Sequence, residues 1–204
     1  GTLQAELVEW DGQKVATGRD FGDDGSLLKD DRLVLDEAGV KRIVEVVGSS
    51  SAVVDALSEK PFTDRAPAPF TTSTLQQEAN RKFRWTARTT MQVAQRLYET
   101  GWITYMRTDS TSLSSQALEA ARGLIASQYG NEVLPAEPRQ SKKKSKGAQE
   151  AHEAIRPTSI YNTPEKIKKY LDESEYKLYN LIWKRTIASQ MIDATYQQVG
   201  IDFL

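Results

Sequence analysis

The apolar positions of this chain change period twice. From Thr2 to Trp10 apolar and polar residues alternate in part, and Asp11-Gly12 then gives a two-residue turn signal ahead of Gln13-Lys14-Val15-Ala16, so a hairpin is expected. Gly18 to Ser26 is rich in Gly and Asp and reads as a loop. Between Asp36 and Val47 the spacing becomes helical, with Val40, Ile43, Val44 and Val47 at i, i+3, i+4 and i+7 and Gly48 as the expected stop. Ser51 to Leu57 returns to strand character, and Asp64-Arg65-Ala66-Pro67-Ala68-Pro69 marks a boundary, because two prolines disfavour helix and sheet alike.

Beyond that boundary the period is helical. Ser73 with Gln76 three residues later fits a capping box and opens a helix toward Phe83. Ala87 to Thr100 places Met91, Ala94, Leu97 and Tyr98 on one face and ends at Gly101. Ser114 or Ser115 caps a helix running to Gly130 through Leu118, Ala121, Leu124 and Ile125. Pro135 to Gly147 reads as a polar, basic loop, Thr163-Pro164 as the N-cap and first residue of a helix to Leu171, and Glu175 to Ile192 as a helix turning Leu178, Leu181, Ile182, Ala188 and Met191 inward. Thr195 to Leu204 reverts to strand. The fold class is therefore mixed α and β and multi-domain. Its economical topology is a β-rich domain built from both chain ends, 1–64 and 193–204, with a mostly helical domain, 65–192, inserted between them.

Charge sharpens that division. Residues 1–64 carry 7 Lys+Arg against 14 Asp+Glu, whereas residues 65–192 carry 20 against 12, so the near-neutral total hides a basic middle suited to a polyanion. A basic half is also common in proteins that bind nothing charged. The chain has no cysteine, which excludes disulfides and Cys-ligated zinc within it and fits a cytoplasmic location. No stretch approaches the ~20 apolar residues of a membrane span, and the opening residues show no basic region followed by an apolar run, so no secretory leader is expected.

The segment between the third and fourth predicted helices carries the chemistry. In Ile103-Thr104-Tyr105-Met106-Arg107-Thr108-Asp109-Ser110-Thr111 a phenol stands two positions before a guanidinium and four before a carboxylate. With a free pKa of about 10, only about one tyrosine in a thousand is phenolate at neutral pH. An adjacent arginine favours the phenolate and stabilises charge building on a phosphoryl group under attack. In an extended segment Tyr105 and Arg107 point to the same side. The spacing also fits a tyrosine at a strand edge beside a surface arginine, or an Arg107 paired with Asp109.

Three blocks in one order resolve this choice. Thr71-Thr72-Ser73-Thr74-Leu75-Gln76-Gln77-Glu78-Ala79, Gly101-Trp102-Ile103-Thr104-Tyr105-Met106-Arg107-Thr108-Asp109-Ser110 and Gln149-Glu150-Ala151-His152-Glu153-Ala154-Ile155-Arg156-Pro157-Thr158 resemble the segments around the active-site tyrosine of type IA DNA topoisomerases. Met106 is similar to the bacterial topoisomerase I branch, where the topoisomerase III branch more often carries Pro. The resemblance implies a toroid in which a helical tyrosine domain sits on β-rich arms that act as a hinge. It implies that Tyr105 cuts one DNA strand as a 5′-phosphotyrosine, releases a 3′-hydroxyl, and reseals without ATP, so that negatively supercoiled DNA is relaxed. Arg107 and His152, the single histidine, are then expected at the scissile phosphate, with Asp109 orienting Arg107 or forming a turn. Arg156 is expected near the strand and Glu153 as local support.

Other candidates remain open between two readings. Arg81, Lys82, Arg84 and Arg88 interleave with Phe83 and Trp85, which fits either a single-strand binding surface or an amphipathic helix with both rings in the core. Arg139, Lys142, Lys143, Lys144 and Lys146 form a basic loop that is either solvated or a non-specific phosphate contact. The family also uses Mg²⁺ held by an Asp-x-Asp element in a separate domain, and no Asp-x-Asp occurs here. The chain is accordingly expected to be a central fragment, inactive alone and dependent on the remaining domains of its polypeptide. It is expected to bind DNA that is single-stranded at the cleavage site, in the bacterial nucleoid. The alternatives are a single-stranded DNA-binding module without chemistry and the topoisomerase III branch. Tyrosine recombinases are disfavoured because their Arg and His residues precede the tyrosine, and replication-initiator nucleases because one histidine cannot supply their metal site.

Overall fold

Asp11 and Gly12 take φ of 51° and 76°, the left-handed pair that a two-residue hairpin turn requires. They join β1 (Glu9–Trp10) to β2 (Gln13–Val15), and β3 (Arg32–Leu33) adds to β2 in parallel with Lys14 opposite Arg32 and Val15 opposite Leu33. The computed structural model describes residues 4–139 and 153–204. These divide into two compact units, Gly1–Lys60 with Val199–Leu204, and Pro61–Gln198. The whole is a mixture of helix and sheet.

In the first unit, α1 (Glu37–Ser49) begins where the Asp36 carboxylate accepts the Gly39 N–H at 2.7 Å. Gly48 does not stop it. The Ser49 and Ser50 hydroxyls donate to the Val46 carbonyl at 2.9 and 2.8 Å, and the chain turns extended only at Ser50. Serine hydroxyls thus satisfy a terminal carbonyl that a left-handed glycine would otherwise have served.

β4 (Val54–Asp64) and β5 (Ala194–Phe203) form a two-stranded ribbon, with Val53 and Leu204 exchanging backbone bonds of 2.8 and 2.9 Å at one end. β4 runs longer than the sequence pattern implied and contains Pro61.

The second unit holds α2 (Thr72–Phe83), α3 (Ala87–Glu99), α4 (Ser115–Tyr129), α5 (Pro164–Ile167) and α6 (Glu173–Ala188). Leu75, Ala79, Val93, Ala94, Leu97, Leu124, Ile125, Leu178 and Ile182 form one continuous core among them. Tyr179 and Trp183 belong to it as well, because their polar tips are satisfied: the phenol donates to the Asn162 carbonyl at 2.6 Å and the indole N–H to Ile160 at 2.8 Å. Burial pushes the Tyr179 phenol well above its ordinary range.

The helical unit differs from the sequence reading at several points, among them α6, which ends at Ala188 rather than Ile192. The α2 cap is Thr71 with Thr74, not Ser73 with Gln76. The inward face of α3 is Thr90, Val93, Ala94 and Leu97, while Tyr98 stays exposed. Thr90 enters the core because its hydroxyl donates back to the Thr86 carbonyl at 3.0 Å. α5 ends at Ile167 and tightens into a 3-10 turn over Lys168–Tyr170. The α4 cap at Ser114, its four inward residues and its Gly130 end are as the pattern implied.

Candidate active site

Gly101, at φ 80°, turns the chain out of α3. The segment that follows is extended but belongs to no sheet. A single antiparallel bridge pairs Ile103 with Pro157, and a second pairs Phe70 with Ile155. Side-chain hydroxyls do the remaining work. Thr104 Oγ1 donates to the Ala154 carbonyl at 2.7 Å and accepts the Arg156 N–H at 3.0 Å, while the Thr104 N–H donates to the Arg156 carbonyl at 2.9 Å. On the other side the Thr72 N–H donates to the Thr108 carbonyl at 2.9 Å. Segments starting at Phe70, Gly101 and Glu153 therefore meet at one junction, and they are the described parts of the three blocks that the sequence singled out, with Phe70 just ahead of the first.

That junction fixes which side chains face out. Ile103 and Met106 are fully buried. From Thr104 to Asp109 exposure alternates, so Tyr105, Arg107 and Asp109 lie on the exposed side. Tyr105 is 48% exposed and packs edge-on against the ring of Tyr98 with centroids 5.2 Å apart. The expected alternative of an Arg107–Asp109 pair is not formed, and among the described residues neither side chain has a hydrogen-bond or ion-pair partner. An unpaired guanidinium two residues from an exposed phenol leaves all its donors available to a phosphate.

The other candidates fall into two groups. Arg156 is committed to the protein: it pairs with Glu153 at 2.6 Å and donates to the Pro157 carbonyl at 2.9 Å. Glu153 in turn accepts the Ser114 N–H at 2.6 Å, which ties the third block to the start of α4. Burial raises the Glu153 pKa, but the hydrogen bonds from Arg156 and Ser114 outweigh it and hold the carboxyl below its ordinary value. Arg81 is likewise engaged, with Glu78 at 2.6 Å. Its hydrogen bond is the main reason the Glu78 carboxyl titrates below its usual range. Arg84, which caps α2 in a left-handed conformation at φ 59°, and Arg88 are exposed without an ion-pair partner among the described residues. Phe83 and Trp85 pack against the core with ring centroids 5.1 Å apart. His152 and Lys142, Lys143, Lys144 and Lys146 lie outside the described residues. Arg139 forms an ion pair with Asp193 at 2.6 Å.

The sequence reading missed Thr72, Thr104 and Tyr98 as parts of the site. Only Tyr98 left a local signal, an aromatic at the end of the helix that delivers Tyr105. Among the described residues no group of three His, Cys, Asp or Glu side chains is placed to hold a metal ion. No described helix is long and apolar enough to cross a membrane.

The chain as a whole has counterparts among known proteins. The family model for DNA topoisomerase matches residues 3–204, and the chain belongs to that family, in its bacterial type IA division. It is 52% identical over 192 residues to DNA topoisomerase 1 of Mycolicibacterium smegmatis, covering 93% of this chain and 20% of that protein. It is 48% identical over 201 residues to DNA topoisomerase 1 of Streptomyces coelicolor, covering 98% and 21%. Among solved structures, full-length topoisomerase I of Thermotoga maritima superposes with a TM-score of 0.65 at 38% identity, covering 86% of this chain and 28% of that one. The chain thus spans about a fifth of the length of the curated relatives it matches.

Proposed function

We propose that this chain supplies the nucleophile of a bacterial type IA topoisomerase that relaxes negatively supercoiled DNA. The observation that carries this reading is the outward Tyr105 beside the unpaired Arg107, on a segment anchored by buried Ile103 and Met106. The Tyr105 phenolic oxygen attacks a phosphodiester phosphorus in a single-stranded region. The new bond is tyrosine oxygen to phosphorus, and the bond broken is phosphorus to the 3′-oxygen, which takes up a proton and leaves as a hydroxyl. The DNA end retained is a 5′-phosphotyrosine, and the reverse attack by the 3′-hydroxyl reseals the strand after another has passed, so no ATP is consumed. Arg107 neutralises charge on the non-bridging oxygens during attack, and His152 assists at the same phosphate. Glu153 and Arg156 support the junction, and Arg84 and Arg88, with Arg81 beside them, offer charge to the flanking strand.

In this reading Mg²⁺ is held by another domain of the same polypeptide, in the bacterial cytoplasm at the nucleoid, and the chain alone does not relax DNA. Full activity requires the surrounding domains. The test is plasmid relaxation by a chimera in which this chain replaces the matching segment of the Mycolicibacterium smegmatis relative. The chimera relaxes negatively supercoiled plasmid with Mg²⁺ and no ATP, and Tyr105→Phe abolishes this. If the chimera binds single strands but never nicks them, the chain is a binding module without chemistry. If the isolated chain relaxes plasmid and Tyr105→Phe stops it, the dependence on other domains is wrong.

A further inference from the structure

Thr72 opens α2, far from Tyr105 in sequence, yet its side chain is spent on the tyrosine segment. Its hydroxyl donates to the Met106 carbonyl at 2.7 Å and accepts the Thr108 N–H at 2.9 Å, and its own N–H donates to the Thr108 carbonyl at 2.9 Å. The hydroxyl also stands 3.2 Å from the Thr108 carbonyl, a weaker share of the same proton. A hydroxyl has one proton and two lone pairs, and here its proton and one lone pair grip the two peptide groups that flank Arg107. These peptides belong to no strand, so no ladder would replace the lost bonds. Adjacent Thr71 serves its own helix instead, accepting the Thr74 N–H at 3.3 Å.

We infer that Thr72 is a positioning residue for cleavage: it holds the backbone from Met106 to Thr108 so that Arg107 and Tyr105 present to the phosphate together. The inference rests on Tyr105 being the nucleophile. Removing the hydroxyl while keeping the shape leaves the Met106 carbonyl and the Thr108 N–H unpaired and lets the segment shift. A displacement on the order of 1 Å at a reacting group costs up to about a hundredfold in rate.

The experiment measures single-turnover cleavage of a labelled single-stranded oligonucleotide by the chimera described above, together with oligonucleotide affinity. Thr72→Val is expected to slow cleavage by about tenfold or more, leaving affinity within about twofold. Thr72→Ser restores the rate to within about threefold of the parent, and Thr72→Cys, nearly isosteric but a weak donor and acceptor, falls between. Thr86→Val is the control. It removes the cap of α3, where Thr86 accepts the Thr89 N–H at 3.1 Å, without touching the tyrosine segment, and its rate stays within about twofold of the parent. If Thr72→Val and Thr72→Cys both cleave at the parental rate while Tyr105→Phe is dead, the positioning role is wrong. The Cys variant decides alone if the Val variant does not fold. If Tyr105→Phe still cleaves, the reading of Tyr105 fails, and this inference fails with it.

Discussion

The two units carry similar helical signals and do different things with them. On α3, Val93, Ala94 and Leu97 are almost wholly buried against α2 and α6. On α1 the stripe of Val40, Ile43, Val44 and Val47 is as regular, yet Val44 is 63% and Val47 56% exposed. Ile43 is the one buried apolar residue among the described residues of Gly1–Lys60 with Val199–Leu204. Periodicity states which face a helix would bury, and burial follows only where a second apolar face is supplied. The functional consequence lies in the helical unit. Tyr105 needs a fixed backbone behind it, and the unit that carries it is the one with a packed interior.

Substitutions sharpen this contrast. Leu97→Ala is expected to cost the helical unit about 2–5 kcal/mol, through lost burial and a residual cavity. Val44→Ala on α1 should stay within about 0.5 kcal/mol. Urea unfolding of the chain, followed by hydrogen exchange so that each unit reports separately, checks both. Equal losses would mean that α1 is packed after all. Arg107→Ala in the chimera is expected to reduce strand cleavage about 10²–10³-fold, the range for losing one preorganised charge-stabilising donor. An equal loss in oligonucleotide affinity would place Arg107 in ground-state binding instead.

Smaller effects test the edges of the helical unit. Asp172 accepts the Glu175 N–H at 2.7 Å at the start of α6, and Asp172→Ala should cost about 1 kcal/mol, read as a lowered Tm. The acid side follows from Glu153 and Glu78, both held below the ordinary glutamate value of 4.5. A carboxyl depressed in the folded state contributes stability that is complete above its unfolded value and is lost as pH falls through its folded value. The helical unit should therefore lose stability below about pH 4.5, and Glu153→Gln should flatten that decline. A thermal scan series from pH 7 to pH 3 showing the same slope for both proteins would remove Glu153 from the account.

Much of this was legible in the sequence, for reasons of range. The Asp11-Gly12 turn, the Ser114 cap, the inward face of α4 and the Gly101 exit are set by residues within a few positions of one another. That Tyr105 and Arg107 face the same exposed side was legible because side chains alternate along a short extended segment. The grip of Thr72 on Met106 and of Thr104 on Ala154 was not, because each bond closes a loop of 34 or 50 residues. A threonine that bonds across such a distance looks the same in sequence as one that caps its own helix, as Thr71 does. The α2 start was misplaced for this reason: four hydroxyl residues in a row offer several equivalent caps, and tertiary contacts choose among them.

The most direct test is to trap the covalent intermediate. The chimera, incubated with a single-stranded oligonucleotide and denatured during turnover, should yield a peptide whose mass places a 5′-phosphorylated nucleotide on Tyr105. A nucleotide found on any other residue, or an adduct that persists in Tyr105→Phe, would contradict the account.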